Sequence, residues 1–337
     1  MGPRRRCPNA VGEANSLRWW SMTQYLLRRI TYFVPVVFLV TVVVFAITLL
    51  LPGDPAMAFL GEGNINDKVA YQAMRQELGL DRPVPVQYAM WLSRAVQGDL
   101  GRSVRTHEQV RDALGARLPV TVELASVALI IALVIAIPVG ILSATRQNTK
   151  LDTVGTVMAI GGVAIPEFFM GILLIYVFAL WLRVLPPSGF VPLSAGLWPS
   201  LQSILLPALA LGMTLNAVTM RQVRASLIEV MQQEYVTVAR AKGLAERRVV
   251  INHSLKNAMI PVITVIGLQI GRLFGGAVVI ETIFALPGMG RLAADSIFFR
   301  DFPMLQGVVL VMAMAVLTCN LLTDMVYAYL DPRIRYS

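Results

Sequence analysis

Six apolar stretches, each about as long as a bilayer is thick, constrain this chain more than any other feature. A helix needs about 20 mostly apolar residues to cross the hydrocarbon core, and these stretches approach or exceed that length. Hydrophobic residues make up 56% of the 337 residues, and charged residues only 15%. We therefore predict an all-α integral membrane protein with six spans, at residues 32–51, 124–144, 153–182, 201–220, 258–280 and 302–323.

The basic residues predict which ends of the spans are cytoplasmic. If the N-terminus lies inside, the cytoplasmic segments carry 17 Lys and Arg residues and the outer segments carry 11. This is the bias that the positive-inside rule describes. We expect a multi-pass plasma-membrane protein with both termini in the cytoplasm, and we do not expect the net charge of +9 to bind nucleic acid.

The segments around the spans divide the chain further. Pro and Gly clusters mark turns between short elements in the polar stretch after the first span, where helices are predicted around residues 68–78 and 86–96. This stretch predicts a compact exterior subdomain. The resulting order is a basic N-terminal arm at 1–24, a first transmembrane helix at 25–51, the exterior subdomain at 52–117, a five-helix domain at 118–330 and a cytoplasmic tail at 331–337.

Glycines in the fifth span predict a close helix contact. Gly267, Gly271 and Gly275 recur every fourth residue, so they lie on one face of the helix and let a neighbouring helix approach. In the third span, Pro166 predicts a kink, because proline removes a backbone hydrogen bond and clashes with the preceding turn.

Polar residues inside the spans are costly in lipid and are therefore candidate functional residues. Gln269 and Arg272 point away from the glycine face, and we predict that they line a water-filled path. Asn216 and Glu167 are further candidates for this path. Two alternatives remain: Arg272 extends to the membrane surface or pairs with Glu281, and Asn216 forms hydrogen bonds between helices.

A basic segment at residues 234–260 lies between the fourth and fifth spans. Its residues 239–242 favour a helix, Gly243 suits the left-handed position that ends one, and Glu246 suits the first turn of the next. A helix, a glycine turn and a second helix form a compact projection that another protein can bind. An ordinary amphipathic connector at the membrane surface fits the same pattern.

No motif for catalysis or for metal binding is present in the sequence. His107 and His253 have no metal-ligand spacing around them, and Cys7 and Cys319 imply no disulfide framework. The chain has no Gly-rich phosphate loop and no H-E-x-x-H or G-x-S-x-G motif. We expect no enzyme activity, and no cofactor or metal bound by this chain.

From residue 25 to residue 335, the chain resembles the permease subunits of bacterial importers driven by ATP-binding-cassette (ABC) subunits. The likeness is to the family that takes up dipeptides, oligopeptides, glutathione and nickel. Nine motifs in one order carry it: LLPGDP (50–55), LGLDRP (78–83), GDLGRS (98–103), ARAKGL (239–244), NAMIP (257–261), GGAVVIE (275–281), PGMGRL (287–292), RDFP (300–303) and DPRIR (331–335).

The resemblance implies the type I importer permease fold and a cytoplasmic coupling segment at residues 222–257 that docks on an ATPase subunit. It also implies four kinds of partner: a second homologous permease, two ATP-binding subunits that hydrolyse ATP with Mg, an extracytoplasmic substrate-binding protein, and membrane lipid. Thr237, Val238 and Ala239 depart from the Glu-Ala-Ala that is usual in the broader importer group. The residues expected to couple to the ATPase are Glu234, Ala239, Arg240, Ala241, Lys242, Gly243, Leu244, Arg247 and Arg248.

Two other classes of function are weighed against an importer permease. A proton-coupled secondary transporter predicts acidic or histidine relays and internal repeats, yet Glu167 is the only acid well inside a span. An intramembrane enzyme needs a nucleophile and a base in the spans, and Ser126 and Ser143 have no histidine near them in any span. The sequence leaves the cargo open among dipeptides, longer peptides, glutathione and small metal chelates.

Overall fold

The computed structural model describes residues 10–50, 54–60 and 68–330. In these ranges the chain is helical, apart from turns and one isolated antiparallel bridge between Arg102 and Gln109. The predicted arm residues 1–9, the predicted tail 331–337 and the motif residues 51–53 lie outside the described residues. The helix α1 begins at Ala10, so part of the predicted arm continues the first span as a helix.

Long helices alternate with short ones along the chain. Two π-helical stretches, Ile175–Trp181 and Val249–Leu255, follow α7 and precede α11. The α-helices in the described residues are α1 Ala10–Leu50, α2 Pro55–Leu60, α3 Lys68–Glu77, α4 Val84–Val96, α5 Val110–Thr145, α6 Lys150–Ala164, α7 Glu167–Leu174, α8 Leu197–Met231, α9 Glu234–Ala241, α10 Glu246–Arg248, α11 Lys256–Ile283, α12 Met289–Phe298 and α13 Phe302–Leu330.

The prediction of an all-α membrane protein is confirmed, and the six predicted spans correspond to five or six in the structure. Five described helical segments are long and apolar enough to cross a membrane, and the bent pair α6 and α7 supplies a sixth crossing if it counts as one. The chain bends by 107° between α6 and α7, which is far more than the predicted kink. Ile165 is extended there, with φ −85° and ψ 122°, because a residue before proline is pushed out of the helical region.

The second span is longer than its hydropathy indicates. Charged residues at 111, 112, 117 and 123 exclude its first turns from an apolar window, yet α5 already begins at Val110. Val110 and Leu114 are buried against Met289 and Met304, so packing against α12 and α13 holds these turns in the helix. The helix α5 therefore runs across the predicted boundary at residue 117.

The core of the bundle lies between α5 and α8, with α11 beside them. Ala128, Ala132, Ala136 and Gly140 recur every fourth residue on α5 and are all buried. A Cβ at Gly212 of α8 would lie 2.7 Å from the carbonyl oxygen of Ala128, so the two backbones are in direct contact. Small residues at this spacing are the usual means of close packing in membranes.

Two of the sequence motifs contact each other on the side of the bundle that carries the predicted exterior subdomain. The hydroxyl of Ser103 donates to the carboxylate of Asp301, and the amide of Val104 donates to the same group at 3.2 Å. This contact joins the motif at 98–103 to the motif at 300–303. It fixes the loop before α5 to the start of α13, next to the helix α12, which the sequence analysis did not predict.

Candidate docking and translocation sites

The basic segment between α8 and α11 folds as two short helices around a glycine turn. The helix α9 ends at Ala241, Gly243 has φ +76°, and Glu246 begins α10. Only a residue without a Cβ adopts this backbone conformation at low cost. The local geometry therefore has the predicted shape, and α10 continues through the π-helical stretch into the fifth span.

An ion pair closes the turn around Gly243. The Arg240 guanidinium donates from Nε to Glu246 at 3.1 Å and from Nη2 at 2.7 Å. This bidentate contact raises the pKa of Arg240 above its ordinary value, mainly through the hydrogen bonds to Glu246. Arg240 therefore stabilises the turn itself, whereas the sequence analysis expected it to pair with another protein.

The two faces of the segment differ in polarity. Val236, Ala239 and Val249 are buried together, with Leu244 packed against them. Ala239 and Leu244, two of the residues expected to dock, therefore hold the segment together from inside. The other residues expected to dock are exposed: Glu234, Arg240, Ala241, Lys242, Gly243, Arg247 and Arg248.

A partly buried ion pair ties α8 to the first turn of α6. Arg224 donates from Nε to Asp152 Oδ1 at 2.7 Å and from Nη2 to Oδ2 at 2.9 Å. Asp152 is only 5% exposed and also accepts hydrogen bonds from the Ser143 hydroxyl and from the amide of Asn148. We refer to Arg224, Asp152 and Ser143 as the α8 clamp.

Sequence reasoning did not find the α8 clamp. Its only signal is one acid and one base, each near the predicted inner end of a span, and nothing in their spacing indicates that they meet. The helix α8 ends at Met231 and α9 begins at Glu234, so the clamp holds the helix that leads directly into the basic segment.

The polar residues predicted on the fifth span lie together. Gln269 is 5% exposed and its Nε2 atom has no hydrogen-bond partner, while its Oε1 atom accepts from Arg272 Nη1 at 3.4 Å. Arg272 and Gly275 are exposed, as are Leu268 and Val279, so one face of α11 is left uncovered by the described chain. A positive charge lies in the middle of this face.

The alternative pairing of Arg272 with Glu281 is not formed. Glu281 is fully buried, and its carboxylate accepts from the Thr121 hydroxyl at 2.6 Å and from the Arg291 amide at 3.0 Å. A Cβ at Gly288 would lie 2.2 Å from this carboxylate, so the chain after α11 wraps closely around it. Glu281 therefore fixes the turn between α11 and α12.

Glu167 lies where three helices meet. It begins α7 directly after the 107° bend, and its Oε2 atom is 2.5 Å from the Cβ position of Gly276 on α11, which Leu211 of α8 approaches to 2.9 Å. Asn216 is half-buried on α8, and its side chain forms no hydrogen bond within the described residues. The structure thus brings Gln269 and Arg272 together and places Glu167 against the same helix.

The glycine face of α11 makes two of its three expected contacts. A Cβ at Gly267 would lie 1.7 Å from Thr323 Cγ2, and one at Gly271 would lie 3.2 Å from Val316, so α13 packs against both positions. A Cβ at Gly275 has nothing within 4 Å. No described residue reaches α11 at Gly275, and the neighbouring Gly276 makes close contacts with Glu167 and Leu211 instead.

Comparison with protein-family models finds two adjoining matches. Residues 136–336 match the model "Binding-protein-dependent transport system inner membrane component". Residues 22–125 match the model "Binding-prot-dependent transport system membrane comp, N-term". Together these matches cover the described residues from 22 onward, apart from 126–135 within α5.

Curated relatives are similar over almost the whole chain. A putative peptide permease protein of Brucella suis biovar 1 (strain 1330) is 41% identical over 319 residues, which are 94% of this chain and 100% of the relative. The glutathione transport system permease protein GsiC of Escherichia coli (strain K12) is 39% identical over 316 residues, with the same two coverages.

A solved structure shares the fold of the bundle. It is a chain of the MetNI methionine ABC transporter in an inward-facing conformation, with a TM-score of 0.54 and 16% sequence identity. The match covers 65% of this chain and 96% of that chain.

Proposed function

Because this chain belongs to the family of binding-protein-dependent transport system inner membrane components, we propose that it forms half of the translocation path of an ATP-driven importer of peptides. The other half is a second homologous permease. Two ATPase subunits bind and hydrolyse ATP with Mg in the cytoplasm, and an extracytoplasmic binding protein delivers the cargo. The chain itself carries no ATPase site and spans the bacterial inner membrane with both termini inside.

The exposed Arg272 is the observation that carries this proposal. It lies roughly 24 Å along α11 from Lys256, well inside the span, and forms no ion pair within the described residues. A charged side chain at this depth costs several kcal/mol if it faces lipid, which favours a place that faces water or another protein. A path shared with a second permease provides both water and a neighbouring protein.

The basic segment provides a docking surface for an ATPase subunit. Arg240 is engaged with Glu246, which leaves Lys242, Arg247 and Arg248 as exposed charges without an ion pair in the described chain. Docking can drive transport only if the ATPase binds the inward-open and outward-open states with different affinity, because equal affinity shifts no equilibrium. We propose that the rigid turn at Gly243 transmits this difference to α8 and α11.

Peptides are the cargo that we propose for the path. This follows from the names of two relatives, one a putative peptide permease and the other a permease for glutathione, which is itself a small peptide. Glu167 and Arg272 offer one charge of each sign beside the path, which suits a cargo with an amino group and a carboxylate. Selection among peptides is left to the binding protein.

Reconstitution tests this proposal. The chain is purified from its native membrane in mild detergent, co-purifying proteins are identified by mass spectrometry, and the assembly is placed in liposomes with its binding protein. We expect uptake of a labelled dipeptide that requires ATP on the ATPase side and persists when an ionophore collapses the proton gradient. We expect Arg272→Gln to lose most of the uptake while the basal rate of ATP hydrolysis remains.

Arg82→Gln is the matched control, because Arg82 lies in the exterior subdomain away from α11. Its uptake should equal that of the unaltered protein. Uptake that continues without ATP and stops with the ionophore would replace the importer with a proton-coupled carrier. If Arg272→Gln leaves uptake unchanged, Arg272 does not contribute to the translocation path.

A further inference from the structure

A cavity of about 600 Å³ lies between the exterior helices and one pair of ends of α1 and α13. We call it the outer cavity. Its wall includes Phe45 and Leu49 of α1, Trp91 and Arg94 of α4, and Phe302 of α13. None of the residues proposed for the translocation path lines it.

The carboxylates of the outer cavity are already engaged. Asp54 accepts from the Ala56 amide at 2.9 Å and from the Tyr71 hydroxyl. Asp99 accepts from the Gly101 amide at 3.0 Å. The acids of the cavity therefore serve the turns in which they lie.

Two of the three arginines of the outer cavity are unpaired. Arg75 donates to the Leu80 carbonyl and to Tyr71, both at 3.3 Å. The guanidinium groups of Arg94 and Arg102 form no hydrogen bond or ion pair with any residue that the structure describes. Three arginines stand against two carboxylates in this wall, which leaves one net positive charge, and the guanidinium groups of Arg94 and Arg102 are free to bind an anion.

The rest of the wall is mainly apolar. Besides the aromatic rings, it contains Leu78, Leu80, Leu100 and Pro303. A wall that combines free guanidinium groups with aromatic and aliphatic side chains suits an amphipathic anion better than a small inorganic one. Phosphate heads with attached acyl chains have this character.

The outer cavity lies beside the membrane-spanning part of α1. Tyr88 of α4 is hydrogen-bonded to Thr41 at 2.8 Å, and Trp91 lies 5.9 Å from Phe45 between ring centroids. Thr41 precedes the end of the span at Leu50 by about 14 Å along the helix. The helix α4 therefore runs along the outer half of the span, next to exposed apolar side chains such as Leu50 at 82% and Val96 at 80% exposure.

We propose that the outer cavity binds an anionic phospholipid of the outer leaflet. Arg94 and Arg102 hold the phosphate, and the aromatic wall contacts the glycerol and the first acyl carbons. In this arrangement the lipid fills the space between the exterior helices and the bundle, and it joins α4 to α13. The orientation in the membrane is the one given under the proposed function, on which this inference rests.

Lipid retention tests the inference without transport, so it stands apart from the test of the importer. The full chain is purified in detergent, stripped of lipid and titrated with phosphatidylglycerol, and bound lipid is counted by native mass spectrometry. The paired change Arg94→Gln and Arg102→Gln should weaken binding by about tenfold or more, because two charge-assisted contacts are lost. Arg82→Gln, in the same subdomain but outside the cavity, should bind as the unaltered protein does.

A charge-preserving variant guards against a simple folding defect. Arg94→Lys with Arg102→Lys should retain more lipid than the Gln pair, and all variants should elute as the unaltered protein does. Equal retention by the Gln pair and by the unaltered protein would overturn the inference. So would tight binding of glycerol phosphate, which marks a plain anion site, or displacement of the lipid by a dipeptide, which marks a cargo site.

Discussion

At the scale of single residues, glycines decide how closely the helices approach and how the cytoplasmic segment turns. Gly243 has φ +76° and nothing within 4 Å of its Cβ position. A side chain at this position would therefore clash with no neighbouring atom. The constraint is the left-handed backbone, which costs a residue with a Cβ roughly 1–2 kcal/mol, and more if the residue is β-branched.

Gly243→Val should therefore uncouple ATP hydrolysis from transport. A penalty of about 1–2 kcal/mol shifts a local equilibrium by roughly 5–30-fold, so most molecules would lose the angle between α9 and α10. We expect uptake by the reconstituted assembly to fall by about that factor, while membrane insertion and basal ATP hydrolysis persist.

Gly243→Asn is the matched control, since asparagine tolerates the left-handed region far better than valine. It should retain most of the uptake. Equal uptake in the Val variant and the unaltered protein would remove the turn angle from the coupling mechanism.

Gly267 and Gly275 provide a matched pair for helix packing. A methyl group at Gly267 would lie 1.7 Å from Thr323 Cγ2, whereas one at Gly275 meets nothing within 4 Å. Gly267→Ala should lower the stability of the purified chain by about 1–3 kcal/mol through overpacking, and Gly275→Ala should leave it nearly unchanged. Thermal unfolding in detergent measures both.

Thr323→Ala added to Gly267→Ala removes the clashing methyl group and should restore part of the loss. If Gly267→Ala and Gly275→Ala unfold at the same temperature, α11 and α13 do not pack through Gly267.

The sequence predicted the glycine face but not its limits. Periodicity shows which residues share a face of α11, whereas the path of α13 decides how much of that face is covered. Gly275 is bare because no described neighbour reaches it, and Gly276, one residue outside the pattern, contacts Glu167 and Leu211 instead. Arg240 is a similar case, since its pairing with Glu246 depends on how the turn folds.

At the scale of elements, the α8 clamp connects α8 to α5 and α6. Arg224 of α8 holds Asp152, which in turn holds Ser143 of α5 and the Asn148 amide in the loop before α6. Asp152 has 7% of its side chain exposed and Arg224 has 32%, so the pair is shielded mainly on the acid side. If α8 tilts, these contacts would therefore pull on α5 and α6.

Asp152→Asn should destabilise the chain by about 3 kcal/mol, because Arg224 is left without its counter-charge in a partly buried place. We expect a lower unfolding temperature and, in the reconstituted assembly, ATP hydrolysis that responds less to the binding protein and cargo. Arg224→Lys keeps the charge but loses the bidentate contact, so its effect should be smaller.

Arg111→Gln is the control for this prediction, since its ion pair with Asp112 is exposed at 64% and 59%. Exposed pairs contribute about 0–1 kcal/mol, so little change is expected. A result in which Asp152→Asn and Arg111→Gln unfold alike would show that the clamp adds no stability.

The elements themselves were predictable to different degrees. Length and hydropathy located the spans, and turn residues located α3 and α4. The helix α12 was not predicted, because it is short and amphipathic and is held by contacts from α5 and α13. The bend at Pro166 was placed correctly, but its size depends on how α7 packs on α8 and α11.

At the scale of the whole molecule, the charge bias predicts the orientation of every segment. The basic segment at α9 and α10 should lie on the cytoplasmic side of the membrane, and α3 and α4 should lie on the outer side. Cysteine labelling checks this in a chain with Cys7→Ser and Cys319→Ser. Gln72→Cys should react with a membrane-impermeant maleimide on whole spheroplasts, and Lys242→Cys should react only after the membrane is opened.

Both positions are exposed in the structure, so access to reagent depends on the side of the membrane and not on burial. Labelling of Lys242→Cys on intact spheroplasts would reverse the orientation. It would also move the docking surface and the outer cavity to the opposite sides of the membrane.

The length of α8 has a mechanical consequence. The helix runs unbroken from Leu197 to Met231, which is about 52 Å and longer than a bilayer core is thick, so we expect its two ends on opposite sides of the membrane. If it tilts by about 10° around its middle, each end swings by roughly 4–5 Å, in opposite directions. In the proposed translocation path, such a tilt would widen the opening on one side of the membrane while it narrows the opening on the other, so the two would not be open at once.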